Sequence, residues 1–119
     1  MTPTCIALLS GQSLLVEGVA SRLQAHVDKV LPEVLHPEEE GLRARLSSLQ
    51  PEAIIVDARD PAVRGRSTLY ELLELLPEAT VMMLDSERSE LQIVKSRRES
   101  ITDTEALLEQ ILRVVQGPA

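Results

Sequence analysis

The segment AIIVDARDP, at residues 53–61, decides which fold this chain is expected to adopt. Four apolar residues run directly into Asp57, and the chain then continues through Arg59 and Asp60 to Pro61. A short, continuous apolar run of this kind is typical of a strand that is buried on both faces of a parallel sheet. Such a strand delivers Asp57 to its carboxyl end, where open α/β sheets bind ligands. Asp57 is therefore the first candidate for a chemical site.

Strands and helices alternate on both sides of this segment. Four more strands are predicted, at Thr4–Leu9, 33–36, Thr80–Leu84 and 91–94. Helices are predicted at 13–26, 37–49 and 67–76. A fourth helix is predicted to begin with a capping box at 102–105, in which Thr102 is the cap, and to end at about residue 116. This order predicts an α/β fold with a doubly wound, mostly parallel five-stranded sheet, in a single domain spanning residues 1–119.

The connection between the fourth and fifth strands is unusually short. Only five residues, SERSE, lie between Asp85 and Leu91. A parallel crossover that contains a helix needs about ten or more residues. We therefore expect the helix between strands four and five to be missing, and we interpret the segment as an antiparallel hairpin at the sheet edge. Irregular chain after the fourth strand is the alternative.

The composition argues against several classes of function. The net charge of −7 disfavours direct binding to nucleic acid or to an anionic membrane surface. Tyr70 is the single aromatic residue, so the chain lacks the aromatic platforms on which bases stack. Cys5 is the single cysteine, which rules out an intrachain disulfide and favours a reducing cytoplasm. No apolar run approaches the ~18 residues that a membrane span needs.

Four segments share one pattern with a known family. The first, PEAIIVDARDP (51–61), has an aspartate at the end of its strand and a proline four residues later. The second, ALLSGQSLLVEGVASRL (7–23), is a strand followed by a helix. The other two, PEATVMMLD (77–85) and VK (94–95), end two further strands. In these segments the chain resembles the receiver domain of response regulators, the CheY-like module of two-component signal transduction. The resemblance covers nearly the whole chain and implies a flavodoxin-like fold. It places the phosphoacceptor position at Asp57 and the family's lysine at Lys95.

The resemblance also implies a Mg²⁺ site formed by an acid pair after the first strand, and a hydroxyl at the end of the fourth. This sequence has Ser10 and Gly11 in place of the acid pair and Asp85 in place of the hydroxyl. Only Asp57 and Lys95 match. We expect Asp57 to cap a turn, or to form a partly buried ion pair with Lys95 or Arg59 that needs no metal. The chain is therefore expected to be a degenerate pseudo-receiver with no catalytic residue, no metal and no cofactor.

Two other interpretations stay open. In one, Asp57 is an active phosphoacceptor and Asp85 is a substitute metal ligand. In the other, the loop from Ser10 to Ser13 binds a small anion at the start of the first helix. Asp60 and Asp85 are expected to be solvated loop acids rather than metal ligands.

The missing helix also predicts where the chain meets other molecules. Its loss should uncover apolar surface on the last strand and the last helix, and that surface would need a partner. We therefore expect a regulatory module that acts by protein–protein contact, as a homodimer or with a signalling partner, without direct nucleic-acid or membrane binding. The expected interaction surface consists of Leu91, Ile93, Leu108, Ile111, Leu112 and Val115.

Overall fold

The computed structural model describes residues 3–63 and 66–117, and those ranges contain five strands and four helices, which alternate as far as β4. In chain order they are β1 (Thr4–Leu9), α1 (Leu14–Gln24), β2 (Val30–Leu35), α2 (Leu42–Leu49), β3 (Ala53–Asp57), α3 (Arg66–Leu75), β4 (Thr80–Asp85), β5 (Glu90–Lys95) and α4 (Thr104–Gln116). Every predicted strand and helix is present, although several boundaries move. No helix in the described ranges is both long and apolar enough to cross a membrane.

The strands form one sheet in the order β2-β1-β3-β4-β5. Neighbours from β2 to β4 run parallel, and β5 runs antiparallel to β4. Residues 86–89 form a turn without a helix, and Ser89 takes a positive φ of 53° there. The mostly parallel α/β sheet and its antiparallel edge hairpin are therefore confirmed. Four residues are too few to carry the chain back to the start of a parallel strand, so it reverses directly.

Three boundaries differ from the sequence prediction. β2 begins at Val30 and includes Pro32, which the sheet tolerates because β2 is an edge strand. α2 begins at Leu42, after Gly41 adopts a left-handed φ of 78° that ends the preceding turns. The cap of α4 is Asp103 and not Thr102, since the Asp103 carboxylate accepts a 2.8 Å hydrogen bond from the Ala106 amide.

The core lies on the two faces of the sheet and is built from aliphatic side chains. On one face α2 and α3 pack over the sheet, and the buried residues there include Leu9, Leu46, Val56, Leu72 and Val81. On the other face α1 packs over a smaller cluster, whose buried members are Leu8, Val16, Ala20 and Ile55. These two clusters hold the carboxyl ends of β1 and β3 side by side, and thereby position the loops that follow them.

Helix α4 adds little to this core. None of its residues is buried, and only Ala106 and Gln110 are half-buried. The Cα radius of gyration is 16.5 Å, against about 13.5 Å for a compact domain of this length. The accessible surface is 8424 Å², against about 6,400 Å² for a compact monomer of this mass. The chain therefore exposes more surface than a closed domain of its size.

Candidate functional site

Asp57 is buried at the end of β3, with 6 % of its surface exposed. Its Oδ2 accepts a 2.7 Å hydrogen bond from the Ser13 hydroxyl. Its Oδ1 accepts a 2.8 Å hydrogen bond from the Arg59 backbone amide. Each carboxylate oxygen thus has a donor from the chain itself, which is what a buried carboxylate needs in order to be tolerated.

Ser13 links this carboxylate to the start of α1. Its hydroxyl donates to Asp57 and also accepts a 3.0 Å hydrogen bond from the Val16 amide, so the same oxygen is the N-cap of the helix. Ser10 supports the loop from the other side, because its hydroxyl donates to the Ser13 carbonyl at 3.2 Å. A hydroxyl can donate one hydrogen bond and accept others, and Ser13 uses both capacities here.

Asp60 is a second buried carboxylate, and the prediction that it is a solvated loop acid is wrong. Its oxygens accept hydrogen bonds from the amides of Gly11 (2.7 Å), Gln12 (3.2 Å) and Ala62 (3.0 Å). Burial alone would raise the pKa of Asp60, but the three backbone donors lower that pKa below its ordinary value. Asp60 therefore ties the β1–α1 loop to the β3–α3 loop as an ionised group.

Gly11 lies where the two loops touch. A Cβ built on Gly11 would come within 2.5 Å of the Ala62 Cβ and 3.1 Å of Asp60 Oδ1. Any side chain at this position would have to push the loops apart. A carboxylate there would also face the charge of Asp60. The position that the resemblance gives to a metal-binding acid is thus closed to an acid in this fold.

Asp85 is occupied as well, so the expectation of a free loop acid or a substitute metal ligand does not match its contacts. Arg59 binds it with two donors, Nε to Oδ1 at 3.2 Å and Nη2 to Oδ2 at 3.3 Å. The amides of Glu87 and Arg88 donate to the same carboxylate at 3.1 and 3.3 Å. Burial opposes its charge, yet Arg59 and the amides together lower the pKa of Asp85.

Lys95 lies away from this site, and the expected ion pair with Asp57 is not formed. The register places Lys95 opposite Thr80, at the start of β4, while Asp57 pairs with Leu84 near the end of that strand. Four residues along a strand separate those two positions by about 13 Å. The antiparallel direction of β5 causes this displacement, since a parallel strand would have delivered its last residue to the Asp57 end.

The residues around Asp57 do not fit the Mg²⁺ site that the resemblance implies. Magnesium binds carboxylate oxygens and water in a strict octahedral arrangement. Here Ser10 and Gly11 supply no carboxylate, and the oxygens of Asp57 and Asp60 face donors of the chain itself. Among the side chains that the structure describes, no three His, Cys, Asp or Glu residues converge on one point.

A cleft of about 340 Å³ opens between α2 and α3, on the face of the sheet opposite α1. Its floor is apolar, with Leu9, Leu46 and Leu72, and Arg43 stands among the residues at its edge. Neither Asp57 nor the loop from Ser10 to Ser13 lines this cleft. The carboxylates at the strand ends therefore do not open onto that cavity.

The expected interaction surface is accessible. Its strand residues Leu91 and Ile93 are 51 % and 57 % exposed, and Val115 on α4 is 77 % exposed. The other three members are about half exposed, and the neighbouring Leu107 and Val114 extend the same apolar stripe. The structure thus brings large aliphatic side chains to the outside on both the hairpin and the last helix.

The sequence interpretation missed the hydrogen bond from Ser13 to Asp57, the backbone contacts of Asp60 and the pairing of Arg59 with Asp85. Ser13 was recognisable as a helix cap, and an aspartate just before a proline in a short loop is a known turn signal. Neither signal reveals that the two loops meet, because Asp60 and Gly11 are 49 residues apart in the chain. Comparison of the chain with protein-family models, with curated proteins and with solved structures finds no match.

Proposed function

We propose that this chain is a non-catalytic pseudo-receiver of the flavodoxin-like class, which signals through protein–protein contacts and is not phosphorylated. The strand order 2-1-3-4-5 supports the proposal, since doubly wound sheets of that order bind their ligands between the first and third strands. Asp57 ends the third strand, next to the loop that follows the first. The architecture and the position of the aspartate both agree with the receiver pattern.

The observation that carries the proposal is that Asp57 is buried and that each of its carboxylate oxygens accepts a hydrogen bond from the chain itself. A phosphoacceptor needs one carboxylate oxygen free to attack phosphorus and a cation to offset the charge of the phosphoryl oxygens. In this chain the Ser13 hydroxyl and the Arg59 backbone amide each donate to one of the two oxygens, and only 6 % of the residue is exposed to an incoming phosphodonor. Freeing Oδ2 means breaking a short hydrogen bond to a charged acceptor, which costs about 1.5–3 kcal/mol before any chemistry begins.

The contacts also disfavour the two alternatives. A phosphoryl-accepting regulator that uses Asp85 as a metal ligand would have to release it from Arg59, which holds both of its oxygens. An anion in the loop from Ser10 to Ser13 would have to displace the Asp60 carboxylate from the Gly11 and Gln12 amides. The chain itself supplies the anion for those amides.

The protein–protein part of the proposal depends on the exposed aliphatic residues. The six members of the interaction surface together expose an area equivalent to about three whole side chains. Burying a leucine, isoleucine or valine fully gains about 1.5–3 kcal/mol, so covering this surface once gains roughly 5–10 kcal/mol. Association itself costs about 4–15 kcal/mol. One such surface therefore gains no more than association costs, whereas a homodimer that buries two copies of it gains roughly 10–20 kcal/mol, which exceeds most of that range.

To test whether the chain is phosphorylated, the protein is incubated with Mg²⁺ and a small phosphodonor such as acetyl phosphate, and its intact mass is then measured. We expect no phosphoryl adduct on the wild-type chain. Asp57→Asn tests the site, and Asp28→Asn, at an exposed acid on the turn after α1, is the matched control. An adduct that persists in Asp28→Asn and disappears in Asp57→Asn would overturn the proposal.

A further inference from the structure

One face of the β4–β5 hairpin carries an apolar patch that the helices in the described ranges cover only in part. Register pairs Met82 with Ile93 and Leu84 with Leu91 across the two strands. Directly paired residues point to the same face, so these four side chains form one block, which we call the hairpin patch. Met82 and Leu84 pack against the edge of the α1 cluster and remain half-buried, while Leu91 and Ile93 are exposed. α1 packs mainly over β1, β2 and β3, and β4 meets the α1 cluster through Met82 and Leu84.

Helix α4 has the complementary surface. Its six large apolar residues project over an arc of about 160° of the helix circumference. They are Leu107, Leu108, Ile111, Leu112, Val114 and Val115, and all six are exposed. The opposite side carries Glu105, Glu109 and Arg113. An apolar stripe of this width is typical of a helix that packs on a sheet or on other helices, and not of one that stands in water.

The hairpin patch and the apolar side of α4 belong to the same chain. Leu91, Ile93 and the apolar residues of α4 are all exposed, so α4 does not cover the hairpin patch of its own chain. The chain exposes about 2,000 Å² more than a compact monomer of its mass would. A standard protein–protein interface buries about 800 Å² on each partner. The excess surface, to which the hairpin patch and α4 contribute, is thus of the size that a stable dimer buries, and both complementary halves of the interface are present in every copy.

We propose that α4 of one protomer packs on the hairpin patch of a second copy, and that the exchange is reciprocal about a twofold axis. The connection allows this, because residues 96–103 contain no helix or strand, and eight extended residues reach about 26 Å. Exchange of an element through such a hinge is a recognised route to homodimers. The inference rests on the proposed function, since it names the partner for the same interaction surface.

Sedimentation velocity with two charge variants tests the exchange. The sheet variant is Leu91→Lys with Ile93→Lys, and the helix variant is Ile111→Glu with Leu112→Glu. Leu14→Lys with Tyr70→Glu is the matched control, because both residues are highly exposed and lie on other helices. We expect a wild-type dimer, an unchanged control, and a rise in the dissociation constant of each charge variant by about 100-fold or more, since each buries unpaired charges at the interface.

Mixing the sheet variant with the helix variant is the decisive step. In a reciprocal exchange, the heterodimer keeps one wild-type interface and pairs the new lysines with the new glutamates in the other. We therefore expect a dimer in the mixture, at concentrations at which each variant alone is monomeric. A packing of α4 on α4 without the sheet would leave the sheet variant dimeric, and that result would overturn the proposal. So would a mixture that stays monomeric.

A wild-type chain that remains monomeric at about 1 mM also overturns the exchange, because specific complexes bind more tightly than this. That outcome leaves the proposed function standing with another protein as partner, whereas a phosphoryl adduct on Asp57 would remove the proposed function and leave the dimer intact. Far-UV circular dichroism checks that each variant is folded. If a double variant unfolds, Ile93→Lys and Leu112→Glu alone replace it in the same mixing test.

Discussion

Replacing Gly11 by alanine tests the contact between the two loops that enclose the buried carboxylates. The added Cβ would lie 2.5 Å from the Ala62 Cβ, where carbon atoms prefer about 3.5–4.0 Å. The loops would have to separate by about 1 Å, which would stretch the hydrogen bonds that Asp60 accepts from the β1–α1 loop. Gly11 has no left-handed φ, so the penalty is one of space alone. Overpacking of this kind costs about 1–3 kcal/mol of unfolding free energy.

Gly18→Ala is the matched control with the opposite expected sign. Gly18 lies within α1, and a Cβ there would meet nothing within 4 Å. Alanine in a helix interior is more favourable than glycine by about 0.5–1 kcal/mol, so Gly18→Ala should stabilise the protein. The two glycine-to-alanine variants should therefore differ in unfolding free energy by about 1.5–4 kcal/mol.

Urea unfolding followed by far-UV circular dichroism measures this difference, because the chain has no tryptophan for fluorescence. Each 1 kcal/mol should also move the melting temperature by roughly 3–6 °C in a domain of this size. Adding Ala62→Gly to Gly11→Ala removes the clashing partner, and the double-mutant cycle should recover about 1 kcal/mol or more. A Gly11→Ala variant as stable as the wild type, or a cost that Ala62→Gly does not reduce, would refute the loop contact.

Ser13, Asp60 and Cys5 give three further tests. Ser13→Ala removes a helix cap and a donor to buried Asp57, and should cost about 1–3 kcal/mol in urea unfolding, while exposed Ser47→Ala should change little. Asp60→Asn should lower the unfolding free energy at neutral pH. Because the folded-state pKa of Asp60 is lowered, the wild type loses this stability as the pH falls below about 3.9, so the difference in unfolding free energy between the two proteins should shrink there. Burial first, and then Glu33 and Glu52, raise the pKa of the Cys5 thiol, so iodoacetamide at pH 8 should alkylate it more slowly than it does in the urea-unfolded chain.

The local parts of the fold could be predicted because each had its own signal in the sequence. The apolar run before Asp57 indicated a buried strand, and the five residues after Asp85 were too few for a helix, which indicated the hairpin. The cap of α4 was misplaced by one residue. Thr102 and Asp103 are both good caps, and the extended backbone of Asp103 identifies that residue as the cap.

The site could not be predicted in the same way, because its contacts join distant parts of the chain. Asp60 looks like a loop acid until the Gly11 amide is brought to it by the parallel pairing of β1 and β3. Lys95 was assigned to the site by a resemblance to a parallel last strand, and the hairpin that the sequence itself predicted sends it to the other end. The two predictions conflicted, and strand direction decided between them.

The β4–β5 hairpin also has a consequence for the order in which the chain folds. The parallel pairs close long loops, such as Thr4 with Val30, Ala53 with Thr80 and Ile6 with Ala53. The hairpin brings together residues as near as Asp85 and Glu90. Loop closure is faster when fewer residues separate the partners, and hairpins form within about 1–10 μs. We expect β4 and β5 to pair first and β3 to add next to β4, so that the sheet starts to form from the last two strands in the chain.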